Sequence, residues 1–165
     1  MNQIAEYRLV PQHYPPAAAG FQPLPSVFFT AGNGAQCAIN VEAACLGQLG
    51  NLDNGNQPCI VGDKLRIGLR VGWPALLGWD YRNLAATHAN AAPYTYKEFL
   101  NSLANHIRKF YDEMLQNIPI GPDPDPFWML QNVPFEELYV SELRHVTAGK
   151  WQPILYRRIA APGTQ

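Results

Sequence analysis

From residue 64 to 71 apolar and polar side chains alternate without a break, the period-two pattern of a strand with one face on a core. Leu65, Ile67, Leu69 and Val71 are expected inward, and Lys64, Arg66 and Arg70 outward, solvated or paired. From Tyr96 the period lengthens: Phe99, Leu100, Leu103, Ile107, Phe110 and Met114 recur at steps of three and four, the stripe of an amphipathic helix. Thr95 and Glu98 stand at capping-box spacing, so each side chain can satisfy a backbone donor that the first turn leaves unpaired. That helix is expected to run to about Ile118, where Pro119 stops it, with Asn101, Asn105, Arg108 and Asp112 on the wet side. Residues 137–146 read as a strand, 147–150 as a turn and 151–156 as a returning strand, and Pro153 is expected to place the latter at a sheet edge.

The first half of the chain is less regular. Pro11, Pro15, Pro16, Pro23 and Pro25 exclude helix and central strand, leaving an extended arm that Tyr14, Phe21 and Leu24 can anchor. Val27-Phe28-Phe29-Thr30 has strand composition, and the Gly32-Asn33-Gly34 turn predicts a hairpin into Cys37-Ala38-Ile39-Asn40-Val41. Residues 41–49 fit a short helix or a strand equally, and 53–56 form a turn. The proline-punctuated stretch 121–126 is a surface connector. The predicted architecture is α+β: a largely antiparallel sheet with one long amphipathic helix packed on it and a Pro-rich N-terminal arm. It is read as a single domain over 1–165, with the arm at 1–25 and the α+β body at 26–165.

Composition narrows the partners. Twelve basic and thirteen acidic residues leave a net charge of −1, and only 15% of the chain is charged against roughly 25% in ordinary domains. Such a balance argues against nucleic acid and against anionic membrane surfaces. The N-terminal residues lack the basic start and apolar run of a secretory signal, and no apolar stretch reaches spanning length, which reads as a cytoplasmic location. Cys37, Cys45 and Cys59 are odd in number and lack CxxC spacing, so reduced thiols are expected, with no metal and no cofactor.

His88, His106 and His145 are the weak candidates for proton transfer; with His13 they complete the histidines, and no HxH or HxxxH pair occurs. His106, on the margin of the helical stripe, and His145, near the end of a strand, can converge. Trp73, Trp79, Trp128 and Trp151, with Tyr81, Tyr94 and Tyr96, can line an aromatic cleft if the 73–96 loop folds back over the sheet. Asp80 beside Arg82, and Arg66 with Arg70, can hold a carboxylate-bearing ligand through guanidinium forks, although Asp80 paired with an arginine across the sheet is the plainer reading. Asp123 and Asp125 miss the calcium-loop template, and no phosphate-loop, dinucleotide or nucleophile-elbow motif is present.

Two segments carry a resemblance: Leu65-Arg66-Ile67 leading to Trp73-Pro74, and His145-Val146 through Gly149 to Trp151-Gln152-Pro153. Together, over 64–156, they resemble a group of uncharacterised fungal proteins with a WP segment after a strand and an HVxxGxWQP segment near the C-terminus. Trp73-Pro74-Ala75-Leu76 departs from the WPGY run of that group, while Trp79-Asp80-Tyr81-Arg82 is similar to the WDxR signature of another fungal domain of unknown function. The resemblance implies no activity.

These readings favour a non-catalytic protein-interaction or self-assembling module, with the arm docking on a partner or on a second copy in a homo-oligomer. The contact residues expected are Trp79, Asp80, Tyr81, Arg82, Trp128, Arg66 and Arg70. The alternative is a small-molecule-binding protein or enzyme whose aromatic and histidine pocket lies between the 73–96 loop and the sheet.

Overall fold

The elements follow in the order β1 (Glu6–Leu9), β2 (Val27–Phe28), β3 (Ile39–Asn40), α1 (Val41–Cys45), β4 (Arg66–Val71), β5 (Trp79–Ala85), α2 (Tyr96–Met114), β6 (Leu138–Thr147) and β7 (Lys150–Ile159). Three 3-10 turns, Pro126–Trp128, Leu130–Asn132 and Phe135–Glu137, connect α2 to β6. The computed structural model describes residues 6–117, 119–121 and 123–160. The first five residues of the arm, the helix end expected at Ile118, and Pro122 of the connector lie outside them.

The fold is mixed, with a seven-stranded sheet and one long helix. Its path is β2-β6-β7-β4-β5, with β3 also on β6 and β1 also on β7. All pairings are antiparallel except β4 with β7, where Gly68 and Leu69 lie beside Lys150 and Trp151. The capping box at Thr95 and Glu98 forms as the spacing requires, and the stripe Phe99, Leu100, Leu103, Ala104, Ile107, Phe110 and Met114 is buried. Ile67, Leu69 and Val71 of β4 share its core, and each fully buried side chain of this size contributes about 1.5–3 kcal/mol.

Several expectations are corrected. Leu65 is 58% exposed, because β4 begins only at Arg66 and the alternation before it has no strand to carry it inward. The Gly32-Asn33-Gly34 turn closes at Ala31 and Gln36, which exchange backbone hydrogen bonds at 3.0 Å, but β2 and β3 beyond it do not pair with each other; both lie along β6, and the Asp53 carboxylate ties the turn down by accepting from Asn33 N, Gly34 N and Thr30 Oγ1 at 2.8 Å each. Asn101 is only half-exposed: its amide donates to the carbonyls of Ala44 and Cys45, capping the last turn of α1. The stretch 73–96 is not a loop over the sheet. It contains β5, whose alternation is broken by a bulge opposite Ile67 and Leu69.

Pro153 is not on an edge strand. β7 has β6 along one side, while on the other its start meets β4 and its end meets β1. Pro153 lies at the fork between those two partners, where no strand asks for its missing N–H. The side chain of Gln12 enters the gap instead. Its Nε2 donates to the Pro153 carbonyl at 2.6 Å, and its Oε1 accepts from Gly72 N and from Gln152 Nε2, both at 3.1 Å. Gly72 permits this approach, because a Cβ there would stand 2.0 Å from the carbonyl oxygen of His13.

The arm therefore docks on its own body. Val10 N donates to Leu155 O and His13 N to Gly72 O. Farther on, Leu24 N donates to His145 Nδ1 at 2.9 Å. Replacing Gln12 with leucine leaves the Gly72 N–H and Pro153 C=O buried without partners. Chemical denaturation is expected to show a loss of about 2–4 kcal/mol; a loss below about 0.5 kcal/mol, the range of a surface substitution, would mean that the fork does not need the amide.

Candidate functional site

Strand alternation divides the sheet into a face under α2 and an open face. Trp151 and Leu155 of β7 belong to the core, so Gln152, Ile154, Tyr156 and Arg158 point the other way; Gln152 and Ile154 are buried even there, and the face is open to water from Tyr156 to Arg158. Their register partners share that side: Tyr7 with Arg158, Leu9 with Tyr156, Tyr139 with Tyr156, Glu142 with Ile154 and Phe28 with Glu142. Tyr7 is 46% exposed, Leu9 53% and Phe28 60%, so large apolar side chains meet water together on this face.

At the β1 end the open face holds a cleft of about 600 Å³ lined by Tyr7, Tyr139, Tyr156, Arg158 and residues 35–38. Tyr7 meets Tyr139 edge to face, with ring centroids 5.0 Å apart. Burial, and next the neighbouring Tyr139, raise the Tyr7 phenol above its ordinary range, so it remains a neutral donor at pH 7. Cys37, on the wall, is exposed, whereas Cys59 is buried and its thiol is pushed up to about 12.

Charge is distributed unevenly between the two sides. Arg66, Arg70, Arg144, Lys150 and Arg158 stand on the open face against Asp80 and Glu142, a net of three positive charges on a chain whose sum is −1. Asp80 is held between Arg70 at 3.4 Å and Lys150 at 3.1 Å, the cross-sheet pairing, and Glu142 takes Arg144 at 2.8 Å. Gly78 lies directly on the Arg70 guanidinium, where any Cβ would collide with it. Arg66 donates to the Asn83 carbonyl, and Arg82 is exposed on β5. Among the described residues neither Arg66 nor Arg158 has a carboxylate partner.

The other residues singled out in the sequence sit apart from this cleft. Trp79 is buried and donates its indole N–H to Glu113 at 2.7 Å; it stacks on Tyr81, which packs against His106 along the β5–α2 seam. The Trp128 carbonyl accepts from the Trp73 indole, and the cavity beside Trp128, Pro74 and Ala75 is about 30 Å³. His88 meets Glu98 at the start of α2, His106 bonds the Ser102 carbonyl, and His145 is sandwiched between Phe21 and Trp151. The structure brings no two of these three histidines into contact. Sequence reasoning missed Tyr7, Tyr139, Tyr156 and Arg158; Tyr139 and Tyr156 are mid-strand positions, and only the β6–β7 register reveals that they face each other.

Among the described residues no group of three or more His, Cys, Asp and Glu side chains is placed to hold a metal, and no helix is long and apolar enough to cross a membrane. The two segments that carry the fungal resemblance lie at the end of β4 and around the β6–β7 turn, on strands that run parallel to each other. No protein-family model, curated protein or solved structure matches this chain.

In the native protein a thiol-reactive disulfide reagent at pH 7 is expected to titrate Cys37 rapidly and Cys59 only after unfolding; rapid reaction at Cys59, read by peptide mapping, would contradict its burial. Burial lowers the pKa of His145, opposed by a bond to the Thr147 backbone and by the charge of Asp63. Since neutral Nδ1 accepts from Leu24 N, the contact is complete above the ordinary histidine value of about 6.5 and is lost as pH falls through the lower folded value. NMR titration of the His145 ring should give a midpoint below that of an unfolded peptide; a midpoint above it would reverse the sign.

Proposed function

We propose that the protein is a non-catalytic interaction module that docks a partner polypeptide on the open face of its sheet. The observation that carries this reading is the joint exposure of Tyr7, Leu9 and Phe28 on a face that also gathers a net positive charge. Apolar side chains there gain by leaving water, and the surrounding cations select the sign of what covers them. A second copy presenting the same face would bring three positive charges against three, so the favoured occupant is a different polypeptide with an acidic surface. The arm, held by Gln12, His13 and Leu24 on its own body, contributes a rim to this surface through Tyr14, whose hydroxyl accepts from Arg144.

The small-molecule reading moves with the space available. A small ligand would use the tyrosine cleft of about 600 Å³, within the usual range of ligand sites, rather than the cavity of about 30 Å³ beside Pro74, Ala75 and Trp128. Membership of the fungal group remains part of the proposal and adds no activity to it.

The test compares immobilised wild type with Leu9→Ser, Phe28→Ser and a control, Leu46→Ser, which removes a similarly exposed apolar side chain just after α1. One polypeptide should be retained by wild type and control and reduced about tenfold or more by the two open-face variants, a loss of about 1.4 kcal/mol. Equal retention by all four proteins would sink the proposal. A concentration-dependent dimer in light scattering that only Leu9→Ser and Phe28→Ser dissociate would instead make a second copy the occupant.

A further inference from the structure

We infer that the tyrosine cleft receives an aromatic side chain lying next to a carboxylate in an extended segment of the partner, an inference that rests on the docking reading above. Tyr139 and Tyr156 are direct cross-strand partners and form the floor; Tyr7 rises edge-on beside Tyr139, and residues 35–38 close the far wall. Three phenol rings offer faces and edges to a fourth ring, the arrangement in which aromatic pairs gain beyond their buried area. A volume of about 600 Å³ lies within the usual range of ligand sites, roughly 300–1,000 Å³.

Arg158 supplies the polar half. It is the register partner of Tyr7, and among the described residues it is the one charged residue lining the cleft and has no carboxylate partner. Its fork can take a carboxylate bidentately while the ring of the adjoining residue enters between the tyrosines. Leu9, the register partner of Tyr156, and Phe28, across β6, extend the contact beyond the cleft, which suits a chain that continues in both directions. A nucleic-acid strand fits less well: one guanidinium does not track a phosphate backbone, and Leu9 and Phe28 offer aliphatic and aromatic contact without donors.

The probes are acetyl-Gly-Asp-Trp-Gly-amide, the same peptide with Asn in place of Asp, and the same peptide with Ala in place of Trp. They are titrated into the full-length protein with amide NMR shifts as the readout. The Asp-Trp peptide should perturb Tyr7, Tyr139, Tyr156 and Arg158 and bind about tenfold more tightly than either control, the effect of one charge-assisted contact or one stacked ring. Arg158→Gln, at an exposed position, should erase the preference for Asp over Asn and leave the preference for Trp over Ala; alkylation of Cys37 should block all three peptides. Equal binding of the Asp and Asn peptides to wild type would overturn the inference. So would shifts confined to residues away from these tyrosines, or an octathymidylate that binds them more tightly than the peptide. If no peptide binds while Leu9→Ser and Phe28→Ser still release the captured polypeptide, the aromatic-acid chemistry falls and the docking surface stands; if both fail, the module reading falls as well.

Discussion

A single amide side chain decides whether the two halves of the sheet can coexist. β7 has to accept β4 beside its first residues and β1 beside its last, and between them the backbone would face a void lined by polar groups. An unpaired buried carbonyl or N–H costs about 1–3 kcal/mol, a large share of the stability of a domain. Gln12 spans the fork because a carboxamide can donate to the Pro153 carbonyl of β7 while accepting from Gly72 N at the end of β4 and from the Gln152 side chain. Neither glutamate, which only accepts, nor an aliphatic residue can reproduce that pattern. Everything on the open face follows from this closure, since Tyr7 and Leu9 reach their places only if the arm continues from the fork into β1.

Much of the body was legible in the chain, and the reasons differ by element. The start of α2 was readable from Thr95 and Glu98 because capping is local chemistry, and its face was readable because seven buried positions keep the helical period. The β6–β7 hairpin was readable from its turn and its apolar runs. β1 was not, because Glu6–Leu9 is four residues long, exposed throughout, and has its partner at the far end of the chain. β5 hid behind its bulge, which puts Tyr81 opposite Leu69 and breaks the alternation after it. Asn101 was assigned to water by its place on the helix wheel, and only the position of α1 explains why its amide bonds to protein carbonyls.

The candidate site was less legible than the fold. A net charge of −1 is a sum, and a sum carries no information about which side of a sheet each charge occupies. Folding places five cations and two acids on the same side of the sheet, so a chain that is nearly neutral in sum is locally positive there. The tryptophans, conspicuous in the sequence, went largely to the core: Trp73 and Trp151 are buried, and Trp79 has its only polar atom satisfied by Glu113. Tyrosines served the surface instead, because a phenol can end in water while its ring lies on the sheet.

The pairing of β1 with β7 also sets an order of events during synthesis. Residues 6–9 are translated some 150 residues before the strand they join. Until then the arm has no sheet to enter, and Tyr7 and Leu9 travel unprotected beside a nascent chain that cannot close its last edge. Contacts so distant along the sequence slow closure and lengthen the time during which apolar edges can find wrong neighbours. β1 is thus made before every other strand of this sheet, yet it cannot pair until β7 has followed.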